Sequence, residues 1–260
     1  WKPAIQAYLA STAMTDDLIG QIVSALEKSK YDDNTIIVLW SDHGFLLGEK
    51  ERWAKYSLWE RATRVNLVWV APGVTKPGSS CNKPVNLLDI YPTLASQTGC
   101  EPPDGQQEGN DLTDLMRDPE AAWNKNSLTT FGYKNYGVRS ERYRYIVYED
   151  GSEELYDHAK DKWEWRNLAT DPEYASVKEQ MRKGIPAHHE PTGALQRAFE
   201  RKRKARFGRF QERNFAGNSL DQRRALYRNL LQSGVCLGVA HSEGRQGRTA
   251  ESESGKPCIL

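Results

Sequence analysis

The sequence predicts an α/β fold that is followed by a small antiparallel α+β subdomain and a basic tail. A helical apolar period over residues 4–29 precedes two apolar, β-branched runs at 35–40 and 65–71, which are typical of strands in a mixed sheet flanked by helices. From Tyr136 the pattern changes to alternating aromatic and basic residues, as in half-solvated antiparallel strands. We therefore divide the chain into residues 1–130, 131–191 and 192–260.

Length and composition limit the class of protein. A chain of 260 residues can bury a sizeable core in one or two domains. Its mean hydropathy of -0.75 and its 27% of charged residues predict a soluble protein. Because no apolar run approaches the roughly 20 residues that cross a bilayer, we expect no membrane span.

The charge is distributed unevenly along the chain. Residues 191–260 hold 14 Lys and Arg against 6 Asp and Glu, although the whole chain has a formal net charge of only +1. The run at 201–204 lies among phenylalanines, a pattern that nucleic-acid and anionic-surface binders share. The end of the tail is rich in Ser, Glu and Gly, which predicts disorder. We interpret the tail as a disordered or helical extension without a role, or as the product of an altered reading frame, and expect no nucleic-acid partner.

The first predicted strand ends at a group of polar residues. An unbroken apolar run predicts that residues 35–40 form a strand buried on both faces, and Ser41, Asp42, His43 and Gly44 follow directly. Ligands of open α/β sheets bind outside the carboxyl ends of strands, and Lys55 lies on the next loop. Ser, Asp and Gly also form ordinary turns, so a turn capped by Asp42 is the alternative.

The remaining predicted elements are shorter. Residues 85–97 have a helical pattern, and Pro92 should kink or restart that helix. A short helix is predicted at 112–116, strands near 138–147 and 153–157, and a helix at 172–183. The glycine- and proline-rich residues 101–110 are predicted to form a loop.

A series of short motifs, in order, resembles the sulfatase family, and in particular its iduronate-2-sulfatase and choline-sulfatase branch. The likeness covers residues 1 to about 190. Its motifs are Ser-Asp-His-Gly (41–44), Leu-Gly-Glu-Lys (47–50), Trp-Ala-Lys (53–55), Leu-Trp-Glu (58–60), Ala-Thr-Arg-Val (62–65), Ala-Pro-Gly (71–73), Val-Asn-Leu-Leu-Asp-Ile-Tyr-Pro-Thr-Leu (85–94), Val-Arg-Ser (138–140), Tyr-Arg-Tyr (143–145), Glu-Leu-Tyr-Asp (154–157) and Asn-Leu-Ala (167–169). It implies an alkaline-phosphatase-like fold and hydrolysis of an organic sulfate ester, with a sulfated small molecule or glycan as the substrate.

The resemblance also implies roles for three residues. Asp42 and His43 correspond to two calcium ligands, and Lys55 to a lysine that contacts the sulfate. A carboxylate suits Ca²⁺ better than an imidazole does, so Asp42 is the firmer ligand and His43 is the one that alternatively touches the sulfate. Lys55 can bind a tetrahedral anion or protonate a leaving oxygen, its alternative being a solvated loop lysine.

The sequence contains only part of the family's active site. The family's nucleophile is a formylglycine made within a Cys/Ser-x-Pro/Ala-x-Arg motif, and none of the four cysteines lies in such a motif. The two further aspartates expected to bind calcium are not found either. We therefore expect the C-terminal part of a longer enzyme, inactive alone and with an incomplete calcium site, from a family whose members are commonly exported, periplasmic or lysosomal.

Several alternatives stay open at this point. A phosphomonoester or phosphonate hydrolase of the same superfamily would also bind a tetrahedral anion, and the basic tail alone could be a noncatalytic anion-binding segment. Arg139, Arg142 and Arg144 could line a surface for a sulfated glycan, but exposed charges on a sheet need no function. Cys81 and Cys100 could form a disulfide if the enzyme is exported, but sequence alone does not pair the four cysteines. Consecutive histidines at 188–189 lack the spacing of a zinc site.

Overall fold

A computed structural model describes residues 1–100 and 108–187, together with the backbone of 258–259. The described residues belong to one compact unit. Helices and three sheets make up this unit, which is consistent with the predicted α/β class. Among the described residues, none of the helices has both the length and the apolar character that crossing a membrane requires.

The first half of the chain forms a long helix and two small sheets. Helix α1 (Lys2–Glu27) is followed by β1 (Ile37–Trp40), the short hairpin of β2 (Leu46–Leu47) and β3 (Trp53–Ala54), the one-turn helix α2 (Glu60–Thr63) and β4 (Leu67–Val70). Strands β1 and β4 pair antiparallel, with Ile37 opposite Val70 and Trp40 opposite Leu67. The backbone of Cys258–Ile259 adds a short strand at the other edge of β4.

Two further helices pack near the first sheet. A 3₁₀ turn at Leu87–Asp89 leads into α3 (Ile90–Thr98), and α4 (Thr113–Arg117) follows. Pro92 lies in the first turn of α3, where it removes no helical hydrogen bond, so the predicted restart of the helix is confirmed. Asp89 is fully buried, and its carboxylate accepts hydrogen bonds from the backbone N–H groups of Asn86 and Asn110, each at 2.7 Å.

The second half of the chain forms a four-stranded antiparallel sheet. Its strands pair in chain order: β5 (Ser127–Thr130), β6 (Tyr136–Arg139), β7 (Tyr143–Val147) and β8 (Glu153–Asp157). A 3₁₀ turn at Pro172–Tyr174 and helix α5 (Ala175–Arg182) follow. Strand β5 has no counterpart among the elements predicted from the sequence, and the division of the chain at residue 130 stays a prediction.

The cores of the two halves form separate clusters. Trp69 of β4 is fully buried with Leu112 and Met116 of the α4 region. On one face of the four-stranded sheet, Val138 and Tyr145 pack against Met181 of α5. The other face packs through Ile146 against Leu58, which lies just before α2 and links the second sheet to the first half of the chain.

Two expectations about burial are wrong. Strand β1 was expected to be buried on both faces, but Leu39 is 37% exposed and Trp40 is 49% exposed, because the described part of the chain does not cover that end of the strand. The middle of β7 was expected to have one solvated face, but Arg144, Tyr145 and Ile146 are all buried. The reason is that hydrophobic clusters and α2 cover both faces of the strand there.

Candidate functional site

The turn after β1 brings Asp42 and His43 together. Oδ1 of Asp42 accepts a hydrogen bond from the backbone N–H of His43 at 3.0 Å, and Oδ2 lies 3.3 Å from Nε2 of the His43 ring. Nδ1 of that ring lies 2.9 Å from the carbonyl oxygen of Gly44, which can only accept, so we assign the ring proton to Nδ1. In the neutral ring, Nε2 and the carboxylate are then two acceptors facing each other, and either a proton on Nε2 or a shared cation would satisfy both.

Helix α2 supports this turn from behind. The backbone N–H of Gly44 donates to the carbonyl oxygen of Ala62 at 2.9 Å. A Cβ atom at position 44 would lie only 2.1 Å from the carbonyl oxygen of Arg61. The turn that carries Asp42 and His43 therefore requires the close approach to α2 that glycine permits.

Lys55 follows directly after the hairpin of β2 and β3. The hairpin is held in register by pairing of Leu46 with Ala54, and Phe45 packs edge-on against Trp53 with ring centroids 6.0 Å apart. The Nζ atom of Lys55 lies 5.7 Å from the centroid of the Tyr56 ring. No carboxylate of the described residues lies within 4.0 Å of this ammonium group, so its charge is available to a ligand.

Asp42, His43 and Lys55 line one open cleft with a volume of about 1230 Å³. The walls also include α2 and parts of β5, β6 and β7. The cleft thus lies between the carboxyl end of β1 and the four-stranded sheet, and the structure places all three residues singled out from the sequence on its surface.

A buried network of ion pairs forms part of the cleft wall. Glu60 of α2 accepts from Arg139 at 3.1 Å and also pairs with Arg144. Glu164 lies 2.9 Å from Nε2 of His158, and its other oxygen accepts the backbone N–H of Glu60 at 2.9 Å. Arg144 and Glu164 are both 2% exposed. The network therefore ties α2 to the four-stranded sheet and to the loop after it.

The side chains of Glu60, His158 and Glu164 offer three ligand atoms within 4.8 Å of one another, as a metal site would. The guanidinium group of Arg144, however, already lies between the two carboxylates, with Nε 2.8 Å from Glu164. That contact is close enough for an ion pair although it is not aligned as a hydrogen bond. Because a fixed cation already neutralises both carboxylates, the donor set fits a structural ion-pair network better than a metal site.

The network also changes the acidity of Glu60. Burial by itself would raise the pKa of this carboxyl group, but the positive charges of Arg144 and Arg139 outweigh burial and lower the pKa to about 2. Glu60 is thus ionised at any pH at which the chain would be expected to work.

A second link joins the β2–β3 hairpin to the four-stranded sheet. The Nζ atom of Lys50 lies 4.4 Å from the ring centroids of both Trp59 and Tyr156 and donates to the Tyr156 hydroxyl oxygen at 2.8 Å. Burial lowers the pKa of the Lys50 ammonium, an effect that Glu154 partly opposes. Lys50 and Glu51 have positive φ angles of 50° and 59°, so this contact holds a backbone turn that glycine would adopt more easily.

Several residues lie in surroundings that differ from those predicted by the sequence. Arg139 and Arg144 were interpreted as exposed charges, but both lie in the buried network because Glu60 and Glu164 neutralise them. The sequence feature that could have indicated the burial of Arg144 is its position between two tyrosines of a predicted strand. Cys81 is buried, and its Sγ atom lies 3.4 Å from the carbonyl oxygen of Pro119, whereas Cys100 is exposed. The histidines at 188–189 and the tail at 192–257 lie outside the described residues.

Comparison with known proteins identifies the family. The model of the sulfatase family matches residues 2–100. A sulfatase of Formosa agariphila is 42% identical over 186 residues, which cover 72% of this chain and 36% of that protein. Mouse iduronate 2-sulfatase is 30% identical over 205 residues, covering 55% and 37% of the two chains. This chain thus spans little more than a third of the curated relatives that it matches.

Solved structures agree with this result. A protein in complex with its substrate D-glucosamine-2-N,6-O-disulfate superposes with a TM-score of 0.62 at 29% identity, over 68% of this chain and 40% of that one. The phosphonate monoester hydrolase of Agrobacterium radiobacter superposes with a TM-score of 0.55 at 26% identity, over 65% and 38%. The ordered motifs, the fold and these matches together show that this chain belongs to the sulfatase family.

Proposed function

We propose that this chain forms the later part of the active site of an enzyme that hydrolyses sulfate esters of carbohydrates. The observation that carries the proposal is the convergence of Asp42, His43 and Lys55 on one cleft. A sulfated sugar is the proposed substrate because one structural neighbour was solved with a disulfated glucosamine as its substrate.

Asp42 and His43 are the proposed calcium ligands of this chain. The carboxylate oxygen and the imidazole nitrogen lie 3.3 Å apart and face each other, so both fit around one cation. They would supply two of the roughly six to eight ligands that Ca²⁺ takes, and oxygen is the preferred donor, so His43 is the weaker ligand. A bound calcium ion would supply positive charge to the sulfuryl oxygens.

Lys55 is proposed to bind the sulfate group. Cleavage of a sulfate ester places negative charge on the bridging oxygen and on the sulfuryl oxygens. The Lys55 ammonium group has three N–H donors and no carboxylate partner within 4.0 Å among the described residues, so it can stabilise that charge and give a proton to the leaving oxygen. It follows directly after the hairpin, which Trp53 packs in position through its contacts with Trp1 and Phe45.

The nucleophile is proposed to come from outside these 260 residues. A formylglycine requires the Cys/Ser-x-Pro/Ala-x-Arg motif, and the printed sequence does not contain it. We therefore propose that the 260-residue chain by itself does not turn over a sulfate ester. Hydrolysis of an aryl sulfate at an enzyme-like rate by this chain alone would contradict the proposal.

A phosphonate or phosphomonoester hydrolase is the second candidate, supported by the structural likeness to a phosphonate monoester hydrolase. Both reactions present a tetrahedral anion to Lys55, so this residue does not discriminate between them. The ratio of kcat/KM for an aryl sulfate to that for a phenyl phosphonate monoester decides which substrate the site prefers. The noncatalytic role of the basic tail stays a prediction, which heparin binding with and without residues 191–260 would test.

Replacement of Lys55 tests the proposed function directly. In the longest natural form of the protein, Lys55→Ala is expected to lower kcat/KM for a sulfated monosaccharide by about 100-fold or more, because one preorganised positive charge is lost at the transition state. Thermal unfolding of the variant should match the parent. Lys76→Ala, at an exposed lysine that does not line the cleft, is the control. Normal turnover by the Lys55 variant would refute the assignment.

A further inference from the structure

The cleft has a strong excess of positive charge. Seven Lys and Arg line it against three Asp and Glu, whereas the whole chain has a net charge of only +1. Such a cleft attracts anions. A cation in the cleft is fully available to a ligand only where no carboxylate of the chain neutralises it.

Most of the cleft's cations already have carboxylate partners. Arg139 and Arg144 belong to the buried network with Glu60. Arg142 forms a two-pronged pair with Asp157, at 2.9 and 2.7 Å, and this bond raises the pKa of the guanidinium above its usual range. Their carboxylate partners reduce the charge that these three arginines can offer to a ligand, although all three line the cleft. Their part in a surface for a sulfated glycan stays a prediction.

Two further cations are partly neutralised. Lys83 lies 3.2 Å from Glu141. Arg64 lies 3.6 Å from Glu60, but its side chain is 74% exposed, so water weakens this ion pair and Arg64 keeps part of its charge for a ligand. Among the described residues, only Lys55 and Lys162 then line the cleft without a carboxylate within 4.0 Å.

Lys162 is held on the side of the cleft formed by the loop after β8. Its ammonium group lies 5.3 Å from the ring centroid of Trp163, whose ring also packs with Arg61 of α2 at 4.5 Å. The adjacent carboxylate of Asp161 accepts the backbone N–H groups of Trp163 and Arg166, at 3.2 and 2.8 Å, which orders the loop. The loop is thus fixed against α2 while the charge of Lys162 stays unpaired.

We propose that Lys162 binds a second anionic group of the substrate, a sulfate or a carboxylate, while Lys55 binds the sulfate that is cleaved. This proposal rests on the proposed function of the same cleft. It names the substrate class more narrowly, as sugars that carry one further anionic group besides the scissile sulfate. Both ammonium groups line the same cleft, one from each half of the chain, and their charges complement a ligand that carries two anionic groups.

Binding of three sugars to the 260-residue chain tests the proposal. Glucosamine 6-sulfate carries one anionic group, glucosamine-2-N,6-O-disulfate carries two sulfates, and a uronic acid 2-sulfate carries a sulfate and a carboxylate. Affinity is measured by calorimetry at low salt in the presence of calcium, so that turnover is not needed. We expect the parent chain to bind at least one of the doubly charged sugars more tightly than the singly charged one.

The Lys162→Gln variant should lose that preference. We expect its affinity for the preferred doubly charged sugar to fall about fivefold, and its affinity for glucosamine 6-sulfate to stay unchanged. A loss confined to the disulfate assigns the second group as a sulfate, and one confined to the uronic acid assigns it as a carboxylate. Lys160→Gln is the matched control, since Lys160 is exposed on the same loop but does not line the cleft.

Failure of this proposal is distinct from failure of the proposed function. Lys55→Gln should weaken the binding of all three sugars. If it weakens the binding of none, the site of the proposed function is wrong and this inference fails with it. If Lys55→Gln weakens all three but Lys162→Gln keeps the preference, or weakens glucosamine 6-sulfate equally, only the second subsite is overturned. A parent chain that shows no preference, or binds none of the sugars, also overturns it.

Discussion

At the scale of single residues, the turn that carries Asp42 and His43 depends on the missing side chain of Gly44. The N–H of Gly44 donates to Ala62, and a Cβ atom there would meet the carbonyl oxygen of Arg61 at 2.1 Å. A backbone carbonyl cannot rotate aside as the end of a long side chain can. The turn or α2 would have to move, and both line the cleft.

Gly44→Ala is therefore expected to lower the free energy of unfolding by about 1–3 kcal/mol, the usual cost of inserting a methyl group into a packed place. Gly20→Ala is the matched control, because Gly20 is an exposed residue inside α1 with nothing within 4 Å of a Cβ atom. This control should raise stability by about 0.5–1 kcal/mol through helix propensity. Urea unfolding of both variants measures the two changes in the free energy of unfolding, which should have opposite signs. A Gly44 variant as stable as the parent would contradict the close contact with the carbonyl oxygen of Arg61.

The candidate site residues could be predicted from the sequence because they are close together in the chain. Asp42 and His43 end an apolar run, Lys55 follows thirteen residues later, and one strand and one hairpin are enough to bring them to the cleft. Lys162 could not be predicted in the same way. It lies far along the chain, and only the folded structure shows which of the many basic residues have carboxylate partners.

At the scale of elements, the ion-pair network joins α2 to the four-stranded sheet. Glu60 is 12% exposed and interacts with Arg139 and Arg144 across about eighty residues of sequence. Ion pairs between residues so far apart in the sequence leave no local pattern from which they could be predicted. A sequence pattern that alternates arginine and tyrosine fits a half-solvated strand, and buried carboxylates from other segments are what allow Arg144 to be buried instead.

The low pKa of Glu60 predicts how the chain responds to acid. Its pKa falls from an ordinary value of 4.5 to about 2 in the folded chain, so the folded state binds this proton less tightly than the unfolded state. The interaction therefore contributes stability at any pH above about 4.5, and this contribution is lost as the pH falls toward 2. A shift of this size corresponds to about 3 kcal/mol.

Glu60→Gln should remove this part of the acid dependence. We expect the variant to be less stable by about 3–5 kcal/mol at neutral pH, because two arginines lose a buried partner, and to lose less stability than the parent between pH 4.5 and 2. Unfolding free energies measured across that range give the comparison. Glu141→Gln is the control, since the Glu141 side chain is 59% exposed. If the Glu60 variant lost as much stability between pH 4.5 and 2 as the parent does, the network would not be the cause of the low pKa of Glu60.

At the scale of the whole molecule, the apolar surface of the first half of the chain is only partly covered. The helical period of residues 4–29 correctly predicted α1, but no residue of this helix is buried. Its first turns contact the hairpin through aromatic rings, with Trp1 and Trp53 5.3 Å apart and Tyr8 and Phe45 5.9 Å apart. Periodicity shows which residues share a face, but it does not show whether the rest of the chain covers that face.

Further along α1, Met14 and Ile22 are 66% and 70% exposed. The double variant Met14→Gln/Ile22→Gln should therefore leave the free energy of unfolding of the 260-residue chain within about 0.5 kcal/mol of the parent, because both side chains are mostly exposed and the variant removes little buried area. Binding of a fluorescent hydrophobic dye to the folded chain should fall, since the exposed apolar surface is smaller. Leu112→Ala is the opposite case: Leu112 is fully buried, and its truncation should cost about 2–5 kcal/mol. If the double variant were destabilised as strongly as the Leu112 variant, this face of α1 would have to be covered in solution.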